Sequence, residues 1–107
     1  MIKIFISQPM RGKTDEEIIK EREAIADRLA IHFNRQDERI DIIDSFFKGA
    51  PHDAKPLWYL GESIKLMSLA DVVFFCKGWQ VARGCLIEHN CALNYGIETM
   101  YEENLIY

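Results

Sequence analysis

Between Asp71 and Gly96 the chain reads DVVFFCKGWQVARGCLIEHNCALNYG, and no other stretch constrains the fold as tightly. Asp71-Val72-Val73-Phe74-Phe75 is a short β-branched and aromatic run fit for a buried strand. A polar turn, Cys76-Lys77-Gly78-Trp79, leads into a helix whose first turns hold Gly84 and Glu88. A strand that hands its C-terminal end to a glycine-containing helix entrance is where open α/β sheets place ligands. Glu88 is the candidate nucleophile.

The rest of the chain supplies partners for that unit. Ile2 to Ile6 reads as a first strand, followed by the loop Ser7-Gln8-Pro9-Met10-Arg11-Gly12-Lys13. Thr14 and Glu17 form a capping-box signature with acids crowding the first turn. A helix is therefore predicted to about residue 33, with Ile18, Arg22, Ile25, Ala26, Leu29 and Phe33 at helical spacing. Ile40 to Asp44 reads as a second strand, and Ser45 to Lys55 as an aperiodic loop containing Phe46 and Phe47. Pro56 suits the first position of a second helix, which ends near Ala70. In the third helix, Cys85, Leu86, Ala92, Leu93 and Tyr95 predict a largely buried element closed by Gly96. Thr99 to Tyr101 reads as a short strand and Leu105 to Tyr107 as an edge segment. Strands alternating with helices imply a parallel sheet with right-handed crossovers, in a single domain over residues 1–107.

Composition narrows the function. A net charge of −4 disfavours a nucleic-acid polymer as partner, because such binders need a basic footprint. It is compatible with a small anionic ligand at a locally positive site. Three cysteines without CxxC spacing read as free thiols of a reducing, cytoplasmic compartment. The first strand follows the N-terminus directly, without the apolar core of a signal peptide, and no apolar run approaches membrane-spanning length.

Two loops should meet above the sheet, after the first and third strands. With strand order 2-1-3-4 they flank the switch point. The first loop offers Ser7, Arg11, Gly12 and Lys13 just before a helix N-terminus, a set suited to a phosphate or carboxylate and equally compatible with a solvated turn. Gly84 and Glu88 lie four apart, so they share one helical face. A glycine there lets a sugar or phosphate approach the backbone. A glutamate on an apolar helix must be paired, protonated or at a cleft, and Arg83 and Lys77 are candidate ion-pair partners. Trp79 could stack on a base or cover the core. His89 and Asn90 belong to the polar flank, Cys85 and Cys91 to packing. His32 and His52 are isolated, so no metal is assigned.

FISQPMRG at the end of the first strand, the DVVFF strand, and the Gly84-Cys85-Leu86-Ile87-Glu88 step followed by Ala92 and Gly96 together resemble the nucleoside 2-deoxyribosyltransferase superfamily. The likeness is to its small bacterial and phage-type branch, and the nucleotide N-glycosidases are nearby relatives. The resemblance spans most of the chain. It implies a flavodoxin-like sheet of four to five strands, order 2-1-3-4(-5), with helices on both faces. It also implies that Glu88 attacks C1′ of a deoxyribonucleoside or its 5′-monophosphate, after which a second base or water completes a double displacement. Ser7, Met10, Arg11, Gly12 and Gly84 would hold the sugar or phosphate, and Phe46 or Trp79 would stack on the base. The amide-rich helix start should keep Glu88 ionised. No cofactor is implied. Family members tend to complete one another's pockets, so a dimer or larger homo-oligomer is expected, and a terminal tyrosine such as Tyr107 stands near the nucleophile in some of them. The chain departs from the family at Ser63, where an aspartate is common, at Phe5, where a tyrosine is common, and at Ala82, where the family has aspartate or serine. These departures leave proton delivery to the leaving base in question. A nucleotide-binding or sensing module without turnover is the main alternative, and a scaffold domain is another.

Overall fold

In a computed structural model the protein is an α/β fold, described over residues 1–45 and 50–105. The strands are β1 (Ile2–Ser7), β2 (Ile40–Ile42), β3 (Val72–Phe75) and β4 (Glu98–Tyr101). The helices are α1 (Asp15–Asn34), α2 (Pro56–Met67) and α3 (Arg83–Asn94). All strand pairs are parallel, in the order β2-β1-β3-β4. This is the order of a flavodoxin-like sheet, whose switch point falls between β1 and β3.

Alternation along the two central strands divides the core in two. Ile4 pairs with Val72 and Ile6 with Phe74, and these four face α1 through Ile25, Leu29 and Phe33. Phe5 pairs with Val73 and Ser7 with Phe75; Phe5, Val73 and Phe75 face Met67 of α2 and Ala92 of α3. Helices therefore cover both faces, as a wholly parallel sheet requires. Because the side-chain period is two, the same register that buries Phe5 places Ser7 beneath α3.

Local chemistry explains the element ends. Thr14 caps α1 with a full capping box: its hydroxyl accepts from the Glu17 amide, and the Glu17 carboxylate accepts from the Thr14 amide. The last turn of α3 closes on Gly96, whose φ of +68° is the left-handed conformation glycine favours. Ile97 N–H donates to the Ala92 carbonyl at 2.9 Å and Gly96 N–H to that of Leu93 at 3.4 Å. These are the two bonds of a Schellman motif.

Several sequence expectations are corrected. β2 stops at Ile42, although the Ile43 amide still donates to the Ile4 carbonyl at 2.9 Å. α2 ends at Met67, three residues before Ala70, where the Ser68 hydroxyl takes the Lys65 carbonyl at 2.6 Å. α3 is not largely buried: Leu93 is 57% and Tyr95 83% exposed, because only the Cys85, Glu88 and Ala92 stripe faces inward. Leu105 lies beyond a single 3-10 turn, Glu102–Asn104, rather than in an edge strand. Ile106 and Tyr107 lie outside the described residues. Among the described residues no helix is long and apolar enough to cross a membrane.

Candidate functional site

The loops after β1 and β3, one side of α2 and the N-terminal half of α3 enclose a cleft of about 470 Å³. That volume falls within the range of small-molecule sites. Gln8, Pro9 and Arg11 come from the first loop, and Gly78, Val81 and Ala82 from the second. Pro56, Leu60 and Ser63 come from α2, and Arg83, Gly84, Cys85 and Glu88 from α3. Thus Arg11 and Glu88, eleven and eighty-eight in the chain, line one cavity.

Glu88 is 7% exposed. Its Oε1 accepts a hydrogen bond of 2.6 Å from the Ser7 hydroxyl, itself only 1% exposed at the end of β1. Ser63 of α2 lines the same cleft, with its hydroxyl near enough to the carboxylate to favour the charged form. Among the described residues Glu88 makes no ion pair, so neither Arg83 nor Lys77 neutralises it. Burial pushes its carboxyl above the ordinary value, and the two serine hydroxyls pull it partly back. Burial and the serine hydroxyls, rather than the helix start, set the direction of this shift. Glu88 sits in the second turn of α3, and the effect of helix N-terminal amides fades beyond the first.

Gly84 has nothing within 4 Å of where a Cβ would stand. Packing does not require a glycine there, and the free space belongs to the cleft. Ala82 precedes α3 without a side-chain cap, and Lys55 precedes α2 in the same way. Arg11 and Arg83 are exposed and make no ion pair among the described residues. The wall of the cleft therefore combines cationic rims, uncapped helix amides and one sequestered carboxylate.

The second loop is pinned from behind. Glu102 accepts from the Lys77 amide at 2.8 Å and from Arg28 of α1 at 3.2 Å. Gly78, with φ of +89°, turns the chain so that Trp79 folds away from the cleft. Of the two roles open to Trp79, the structure takes core cover over base stacking: it packs against Phe75, His89 and Tyr101, with its ring centroid 4.2 Å from that of His89. It is not among the residues lining the cleft. His89 is not on a polar flank: it is half-buried and meets the Tyr101 hydroxyl at 2.7 Å.

Met10 and Gly12 are exposed and are not among the residues lining the cleft. Phe46 lies outside the described residues. Gln8, overlooked in the sequence, is 5% exposed and lines the cleft; its amide donates to the Ile18 carbonyl at 2.9 Å. No periodicity could have marked it, since its partner is a backbone carbonyl ten residues on. Cys85 and Cys76 are buried thiols pushed up to about 11 and about 12 by desolvation, so packing is their role. Among the described residues no group of three or more His, Cys, Asp or Glu side chains could hold a metal ion.

In comparisons with known proteins, the chain matches no protein-family model, no curated protein and no solved structure.

Proposed function

We propose that the protein cleaves or transfers at the N-glycosidic bond of a nucleoside or nucleoside 5′-monophosphate, with Glu88 as nucleophile. One observation carries this reading: Glu88, held by the Ser7 hydroxyl, lies in the same cleft as Arg11. A carboxylate that no cation among the described residues neutralises is available to attack an electron-poor C1′, which splits one difficult displacement into two easier ones. Arg11 and Arg83 at the rim suit a phosphate. Gly84 leaves room for the sugar against the backbone. The resemblance to the nucleoside 2-deoxyribosyltransferase superfamily supports the same assignment.

The test is base release. The protein is incubated with nucleosides and their 5′-monophosphates, with and without a second free base, and products are separated by chromatography. Glu88→Ala is expected to abolish release. Release that persists in the variant rules out Glu88 as nucleophile.

A second reading, nucleotide binding without turnover, is favoured by Ser63 and Ala82, which supply no acid beside the nucleophile. Saturable nucleotide binding weakened by Arg11→Ala, with no base released, would select it.

A further inference from the structure

Glu88 is the only carboxylate among the described residues lining the cleft, which include no histidine, tyrosine or lysine. The nearby His89 is turned away and bonded to Tyr101. Cys85 lines the cleft, but its thiol holds its proton up to about 11. Ser63, the residue beside Glu88 on α2, is an alcohol and no proton donor at neutral pH.

This inventory matters because N-glycosides differ in how their base departs. A purine or pyrimidine attached through a neutral ring leaves as an anion unless a general acid protonates it. A pyridinium base already carries a positive charge and departs neutral. The cleft's charges sort the same way: one buried carboxylate at C1′ and two arginines at the rim, none of them in an ion pair among the described residues, complement a ligand that is cationic at its base and anionic at its phosphate.

We infer that the preferred substrate is a phosphorylated N-glycosylpyridinium, a nicotinamide-type nucleotide, rather than a nucleotide of a neutral base. The inference rests on the glycosyl-transfer reading of Glu88 and names the substrate class of that site. In the first step a Glu88 oxygen bonds to C1′ while the C1′–N bond breaks. Its electron pair goes to the ring nitrogen, cancels the pyridinium charge and releases a neutral pyridine. In the second step water bonds to C1′, the ester C1′–O bond breaks, Glu88 recovers its carboxylate and the proton of water passes to solvent. The products are the sugar phosphate, the pyridine and one proton. No proton is delivered to the leaving group at any point. Bound beside Glu88, the pyridinium also favours the ionised carboxylate that must attack it.

The experiment compares kcat/KM of the full chain for nicotinamide mononucleotide and for dAMP and dCMP, by chromatography of released base. A preference for the pyridinium nucleotide of about 10²-fold or more is expected, since a missing general acid costs roughly 10²- to 10⁴-fold with neutral bases. Glu88→Gln should abolish the activity, and kcat/KM should rise with pH to a plateau without an alkaline fall. Ser63→Asp, which supplies a carboxyl beside the leaving group, should narrow the preference by about 10-fold or more. Cleavage of dAMP or dCMP as fast as nicotinamide mononucleotide overturns the pyridinium inference and leaves the glycosyl-transfer reading standing. Cleavage of none of the three overturns both. Should Ser63→Asp fail to fold, the unmodified protein's substrate preference decides alone.

Discussion

Glu88 is held where a charge is costly, and that cost has a sign that can be measured. Burial raises its folded-state pKa, so the native state binds its proton more tightly than the unfolded chain does. Its contribution to stability is full below the ordinary glutamate value of 4.5 and is lost as pH rises through the raised value. Glu88→Gln should therefore melt at a higher temperature than the parent at neutral pH, with the gap closing below about pH 4.5. Melting curves at several pH values test this; a variant less stable at pH 7 contradicts it. Ser7→Ala has the opposite effect. It strips a 2.6 Å donor from a buried carboxylate, at a cost of about 1–3 kcal/mol in urea denaturation at pH 7. The ascending limb of any pH–rate profile should move to higher pH. Glu88 and Arg11 could be singled out from the sequence because their types and loop positions are informative. Ser7, expected to hold the sugar or phosphate, is instead buried behind the cleft and donates to Glu88: a hydroxyl acquires meaning only from what stands within 3 Å, and its partner lies 81 positions away in the chain.

At the scale of elements, what was legible had a local cause. The capping box at Thr14, the proline opening α2 and the glycine closing α3 are decided by neighbouring backbone groups, and each is where the sequence predicts it. What depended on tertiary cover was misread. The apolar residues of α3 suggested a largely buried helix, yet one stripe suffices against the sheet and Leu93 and Tyr95 stay outside. Trp79 left two roles open, and the turn at Gly78 decided between them. Two glycines make contrasting predictions. Gly96→Ala forces a side chain into a left-handed conformation at φ +68° and should destabilise by about 1–2 kcal/mol in chemical denaturation. Gly84→Ala meets no atom and adds helix propensity, so it should stabilise by about 0.5–1 kcal/mol. The same methyl intrudes on the cleft, so nucleotide KM should rise while the melting temperature does not fall. A Gly84→Ala variant with unchanged KM would place the ligand elsewhere.

Taken as a whole, the molecule carries net charge −4 yet offers Arg11 and Arg83 at one opening, without an ion pair among the described residues. Attraction of a phosphorylated ligand should therefore be local and screened by salt. Arg11→Ala should weaken binding of a nucleoside monophosphate about 10-fold, corresponding to about 1.4 kcal/mol. The loss should shrink as ionic strength rises, read by calorimetric titration at two salt concentrations. The strand order, by contrast, needed the whole chain: alternation of elements implies a parallel sheet, but only the pairing of β1 with both β2 and β3 places the first and third loops side by side.

The bond between Ser7 and Glu88 joins residues 81 positions apart. Synthesis delivers the hydroxyl 81 residues before the carboxylate, so a growing polypeptide holds half of this pair until α3 has emerged and docked. Fragments truncated before that helix should be silent in every glycosidic assay, however well their first strands and helices form. Appearance of activity during refolding would then time the closure of the final crossover.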